Sequence, residues 1–189
     1  MKIFVKQKRT KMKKAILMLC LAVCFPAFAQ TTEFDPKKVE QIGVFDDWSA
    51  YRFRDKKETV CYVAAQPIKS AGEYNRRGDV FLMVSHRPQE DIFDVVTIIA
   101  GYTYKPRSEV VVRVGKDKYS LFTNKDTAWT RNHSTDEKVV RAMDAGLRLT
   151  ARGVSIEGIE TYDTFSLKGF RDAMDALNRL CRQPEGPSQ

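Results

Sequence analysis

Two histidines, His86 and His133, are the only imidazoles in the chain that could act as a catalytic base. A serine hydrolase needs a nucleophile within hydrogen-bond reach of such a base, and donors for the developing oxyanion. His133 stands beside Ser134, but Ser134 precedes Glu137 by three residues and reads as the cap of a helix. In Gly153-Val154-Ser155-Ile156-Glu157-Gly158 the second glycine comes one position too late for a nucleophile elbow, so the stretch reads as a turn linking strands. There is no HExxH, no EF-hand loop and no CxxC, and Asp46-Asp47 before Trp48 reads as a solvated turn rather than a weak calcium site. Neither GxGxxG nor GxxxxGK occurs. The sequence therefore predicts no metal, no cofactor and no catalytic residues.

The four cysteines divide into two pairs with different fates. Residues 1–14 are lysine-rich, and Ala15 to Phe25 is an apolar run of signal-peptide length. Pro26 and the small-residue pattern Ala27-Phe28-Ala29 follow, which predicts cleavage after Ala29 and a mature chain beginning at Gln30. The run is too short for a membrane anchor, which needs about 20 apolar residues. Bulky Val23 makes Leu21-Ala22-Val23-Cys24 a poor lipoprotein signal, and either Met1 or Met12 leaves a basic start. Cys20 and Cys24 leave with the leader. Cys61 and Cys181 remain, and an oxidising compartment favours bridging them. The alternative is a nucleophilic thiol paired with His86 or His133, which no local sequence favours.

Charge follows the same division. The formal net charge is +8, but seven of the 32 basic residues and none of the 24 acidic ones precede Gln30. The mature chain is thus near balance, at 25 basic against 24 acidic, and nucleic acid is excluded as its general partner. At 43% hydrophobic and 30% charged, it is neither a disordered nor a polytopic membrane chain. Lys69, Arg76, Arg77, Lys105, Arg107, Lys116 and Lys118 fall in expected loops and read as solvated charge rather than a patch for anionic glycans or lipid headgroups. Arg77-Gly78-Asp79 is an adhesion-type tripeptide. Because Asp79 abuts the apolar run that follows, the tripeptide reads as a turn entering a strand, with adhesion as its weaker reading. Asn132-His133-Ser134 has the form of a glycosylation sequon but reads as the approach to a helix. Tyr102 and Tyr104 read as packing rather than as ligand contacts.

The elements that must position these residues are mostly strands. Alternation predicts strands at Trp48 to Arg54, Thr59 to Gln66, Glu109 to Val114, Lys118 to Thr123, Leu147 to Arg152 and Ile159 to Phe165, with a short edge at Ala128 to Arg131. Leu147, Leu149 and Ala151 are expected to point inward. Asp79 to Ser85 and Ile92 to Ala100 are nearly continuous apolar runs, as in strands covered on both faces. Gly115-Lys116-Asp117 predicts a hairpin. One helix runs from the Ser134 cap to Gly146, and Ser166 is expected to cap a last helix with Leu167, Phe170, Met174, Leu177 and Cys181 on its apolar side. Arg171/Asp175 and Asp175/Arg179 are expected to pair along its outer side. The domain organisation is a signal peptide at 1–29, a polar arm at 30–40, one β-sandwich domain at 41–182 and a flexible tail at 183–189.

An ordered series of short segments resembles the invasion-associated locus B family of bacterial exported proteins. They are Phe45-Asp46-Asp47-Trp48, Thr59-Val60-Cys61-Tyr62 with Gln66-Pro67, Arg77-Gly78-Asp79-Val80, Ile98-Ile99-Ala100-Gly101-Tyr102, Ser120-Leu121-Phe122-Thr123, Thr127-Ala128-Trp129, and Ser166-Leu167-Lys168-Gly169-Phe170 with Cys181. The resemblance implies an immunoglobulin-like β-sandwich, to which the residues add two peripheral helices, the last C-terminal. It also implies a periplasmic or outer-membrane to extracellular location in a Gram-negative bacterium, and it offers no catalytic residues. The resulting expectation is a non-enzymatic envelope or secreted protein. It would work through surface contacts with an unidentified protein or envelope component, without a transmembrane segment in the mature chain. The alternative is a periplasmic hydrolase with His86 or His133 as base.

Overall fold

The computed structural model describes residues 38–55, 58–74 and 76–182. The leader with its cleavage site after Ala29, residues 30–37 and the tail lie outside them. Eleven strands form one antiparallel sheet: β1 (Val39–Phe45), β2 (Trp48–Arg54), β3 (Thr59–Ala65), β4 (Lys69–Ala71), β5 (Phe81–Arg87), β6 (Ile92–Ile99), β7 (Glu109–Val114), β8 (Asp117–Asn124), β9 (Thr127–Trp129), β10 (Arg148–Val154) and β11 (Glu160–Ser166). Their order across the sheet is β1-β2-β3-β5-β6-β9-β8-β7-β10-β11-β4. Two helices complete the domain, α1 (His133–Ala145) and the C-terminal α2 (Phe170–Cys181).

This mainly β, sandwich-like architecture agrees with the family resemblance, and its two helices, the last C-terminal, agree with the helical spacing of the sequence. Its ladder is continuous, and only the three-residue β9 joins the half β1-β2-β3-β5-β6 to the half β8-β7-β10-β11-β4. The inner faces share one core that includes Trp48, Val63, Val84, Ile98, Val112, Leu121, Leu149 and Phe165. Period-two alternation places these residues, since successive strand side chains point to opposite faces. On β3, Cys61, Val63 and Ala65 are buried while Val60, Tyr62 and Ala64 face outward. The β1–β2 hairpin closes through Asp46-Asp47, with Asp46 at φ +49°. Aspartate tolerates that conformation better than a branched residue does.

Both helices bury one side in this core. Phe170, Ala173, Met174, Leu177 and Cys181 of α2 lie against the inner side of β1, β2 and β3, while Arg171, Asp172, Asp175 and Arg179 stay in water. Trp48 meets Phe170 edge-on at 4.8 Å between ring centroids and donates its indole N–H to the Ser166 carbonyl at 3.0 Å. At the other end of the helix, Cys61 and Cys181 are bonded, both buried, with Cα atoms 6.4 Å apart. That spacing falls in the ordinary range for a disulfide. On α1, Val139 and Met143 enter the core, and the Asp136 carboxylate accepts the Val96 N–H at 2.9 Å where β9 has ended.

Several local expectations are corrected. Asn132, not Ser134, caps α1, accepting the Thr135 N–H at 3.0 Å. Ser166 closes β11 rather than capping α2, and its hydroxyl accepts the Lys168 N–H. The cap of α2 is Gly169 at φ +84°, where a Cβ would stand only 1.9 Å from the Phe45 carbonyl oxygen, so no larger residue fits. Leu147 is 87% exposed, because β10 begins after it and its carbonyl receives the Leu167 N–H instead. Arg171 reaches Asp144 of α1 at 2.7 Å rather than Asp175 on its own helix. β1 and β4 have no clear strand signal. Polar Glu40 and Gln41 and a register shift at Gly43 blur the first, and all three residues of the second are exposed.

The disulfide spans 120 residues, and closing so long a loop restricts the unfolded chain. The double variant Cys61→Ala/Cys181→Ala is expected to lose about 4–5 kcal/mol of stability on the chain-entropy account. Urea unfolding followed by tryptophan fluorescence would measure it; a loss below about 1 kcal/mol would refute the pinning role.

Candidate functional site

The two histidines have separate settings, and neither is bonded to a hydroxyl among the described residues. His86 is fully buried on the inner side of β5. Its Nδ1 accepts the Asp94 N–H at 3.0 Å, which leaves the proton on Nε2 to be donated to Asn178 Oδ1, also at 3.0 Å. Burial holds its pKa below the ordinary histidine value, outweighing the opposing pull of Asn178 and Asp94. His133 is an exposed residue in the first turn of α1, 3.3 Å from Glu137. Ser134 is exposed on the same helix. Ser155 is buried, and its hydroxyl accepts the N–H groups of Glu157 and Ile159, which shapes a turn. Asp46 pairs with Lys168 at 2.8 Å, and among the described residues no group of three or more metal-binding side chains comes together.

The adhesion-type tripeptide is turned inward at its first residue. The Arg77 side chain is 11% exposed and grips Asp163 of β11, itself 5% exposed, through two bonds of 2.7 and 2.6 Å. Its Nε donates to the Ala100 carbonyl at the end of β6, and Ser70 of β4 donates to the same Asp163 at 2.7 Å. The guanidinium carbon lies 5.3 and 5.0 Å from the ring centres of Tyr74 and Tyr102, which stack on each other. Gly78 donates its N–H to Gly101, and Asp79 is exposed. Tyr102 also bonds Thr161 at 2.7 Å, and Tyr104 is buried beside it. Burial raises the pKa of all three phenols. Gly153 leaves the space these rings need, since a Cβ there would stand 2.6 Å from the Tyr102 hydroxyl. The cluster is a clamp between the two halves of the sheet, with its charges and ring faces already occupied.

The accessible chemistry lies on the outer faces. Tyr51 stacks on Tyr62 at 5.1 Å in the first half, and Phe122 of β8 stacks on Trp129 of β9 at 5.3 Å where the halves join. Register places Ala64, Met83, Thr97, Trp129 and Phe122 in one row across β3, β5, β6, β9 and β8, with Phe53 opposite Val60 and Phe81 opposite Ile99. These side chains are half-buried. Among the described elements no second sheet lies over them, and both helices bury their apolar sides in the core. Beyond Phe122, the outer face of the second half carries Lys69, Arg113, Lys118, Thr150 and Thr164.

A model of the family described as invasion associated locus B (IalB) protein matches residues 48–178. The chain belongs to this family. No curated protein and no solved structure matches it. The matched span of the chain runs from Trp48 to Asn178. It takes in His86, the Arg77–Asp163 clamp and most of the apolar outer face. Asp163 is the residue that sequence reasoning passed over. It holds the inward parity of β11 between Thr161 and Phe165, and an acid at such a position must find a partner.

Two outcomes follow from the clamp and from His86. Removing one clamp partner leaves the other charge buried, so Asp163→Asn and Arg77→Met are each expected to cost about 3–5 kcal/mol. The double variant should cost less than the sum of the two; additive losses in a double-mutant cycle would refute the coupling. His86 in the unfolded chain takes up a proton near pH 6.5, but the folded site resists it to lower pH. Its contribution to stability is therefore complete above about pH 6.5 and is lost as pH falls toward the folded value. His86→Leu should be less stable at pH 7.5 and show a shallower decline between pH 6.5 and 5. An unchanged slope would remove His86 as its cause.

Proposed function

We propose that this protein is an exported, non-enzymatic component of the bacterial envelope that docks another protein on the outer face of β2, β3, β5, β6, β9 and β8. Export is supported by the leader expected at 1–29, by membership in a family of exported proteins and by the Cys61–Cys181 bond. The observation that carries the docking reading is the registered apolar row Ala64, Met83, Thr97, Trp129 and Phe122, flanked by the Tyr51–Tyr62 stack. An antiparallel strand with one face in water ordinarily alternates apolar with polar residues. β3 is apolar on both faces and β5 and β6 largely so, interrupted on the outer side by Ser85 and Thr97, and contiguous apolar surface of this kind marks contact sites. Aromatic residues and methionine are also enriched where protein interfaces are buried. Nothing favours the hydrolase alternative, since both nitrogens of the buried histidine are bonded and the exposed one faces Glu137.

The test places a photo-crosslinking residue at Tyr62 and, in a second variant, at Thr150 on the opposite outer face. Irradiated envelope fractions are expected to yield one discrete adduct from position 62 and none of that mass from 150. The adduct should vanish when Met83→Glu is added. Equal labelling at both positions, or an adduct that survives Met83→Glu, would overturn the reading.

A further inference from the structure

The outer face of the second half carries a row of cations that only the register reveals. Lys118 lies opposite Arg113, Arg113 opposite Thr150, Thr150 opposite Thr164, and Thr164 opposite Lys69. The five side chains thus stand side by side, one on each of β8, β7, β10, β11 and β4. At about 4.8 Å between strands, the row spans about 19 Å. Arg148 stands on the same face, opposite Ser166, just beyond Thr150. Lys118, Arg113, Lys69 and Arg148 are all exposed, and none forms an ion pair among the described residues.

Like charges placed directly opposite each other on neighbouring strands are destabilising, and Lys118 and Arg113 are so placed. General basicity does not account for the row, because the chain from Gln30 on is nearly balanced at 25 basic against 24 acidic residues. The acids of this face are already engaged. Glu109 is held by Ser120 and Arg131, and Glu160 by Arg152 and Tyr162. They stand four residues before Arg113 on β7 and before Thr164 on β11, so both lie at the same end of the face. A flat anionic membrane laid over the whole face would meet them. One chain of negative charge running along the row would not. Thr150 and Thr164, between the cations, add hydroxyls able to bond ring oxygens and acidic groups.

We propose that this row binds a linear anionic polysaccharide, lying across the strands from Lys118 to Lys69. The site meets the apolar docking face on β8, where Lys118 and Phe122 stand on the same side, but its charge does not depend on that face. Charge complementarity defines the partner class, and the interaction weakens as salt screens it.

The test titrates the full mature chain with dextran sulfate, neutral dextran and phosphatidylglycerol vesicles, following intrinsic fluorescence at low and moderate salt. Binding of dextran sulfate is expected, with neutral dextran inert. Arg113→Glu/Lys118→Glu should weaken it by about tenfold or more, and Lys105→Glu/Lys125→Glu, an equal charge change in exposed loops, by less than about twofold. Lys69→Ala/Arg148→Ala, at the far end of the row, provides a second measure should the first variant unfold. It should weaken binding while keeping the wild-type urea transition. Equal losses in row and loop variants, no binding of dextran sulfate, or binding of vesicles alone would overturn the proposal.

Discussion

The ion pair between Arg77 and Asp163 is the constraint on which the closed shape depends. The sheet is continuous only through the three residues of β9, so the ladder by itself leaves its two halves free to splay. Arg77 reaches from the loop before β5 to the carbonyl of Ala100 at the end of β6 and to the β11 carboxylate, joining the two halves through side chains rather than the ladder. Trp48 makes a second tie, from β2 to the Ser166 carbonyl. Between them lies a core that neither half could bury alone. The Tyr74 and Tyr102 rings shield the ion pair, which weakens competition from water and raises what its loss would cost.

This closure leaves the protein with two unlike outer surfaces. One is apolar and aromatic, the other polar with a line of exposed cations. Both are carried on regular strands, so their side chains are held at fixed spacing without a ligand. The interior has no comparable freedom. His86, Ser155, Asp136 and Asp163 are the polar groups that usually prompt a search for chemistry, and each is used to satisfy backbone or close a contact.

Much of the β framework was legible in the chain. The bounds of β2 and β7 follow from alternation, as does the inward parity of Cys61, Val63 and Ala65. What failed has a physical reason. Ser134 and Ser166 have the right residue type for caps, but Asn132 and the tight approach at Gly169 decide where the helices start. The apolar runs of β5 and β6 showed that both faces resist water, though not what covers the outer one. Arg77 was legible only as part of a tripeptide, because its partner lies 86 residues away. Lys69 and Lys118 were read from the sequence as solvated loop charge, and their alignment with Arg113 and Arg148 was hidden for a similar reason. Lys69, Arg113, Lys118 and Arg148 become neighbours only when five strands are in register.

The position of α2 has a consequence for how the chain matures. It is the last element, yet it covers the inner side of the first three strands, and the Cys61–Cys181 bond can form only once residue 181 is present. For a chain exported amino end first, as proposed, the inner sides of β1, β2 and β3 would lack their cover until α2 follows. Trp48, Ala50 and Val63, buried in the folded protein, lie on those inner sides. For a chain exported as proposed, the bond would close after transport, where the thiols meet an oxidant.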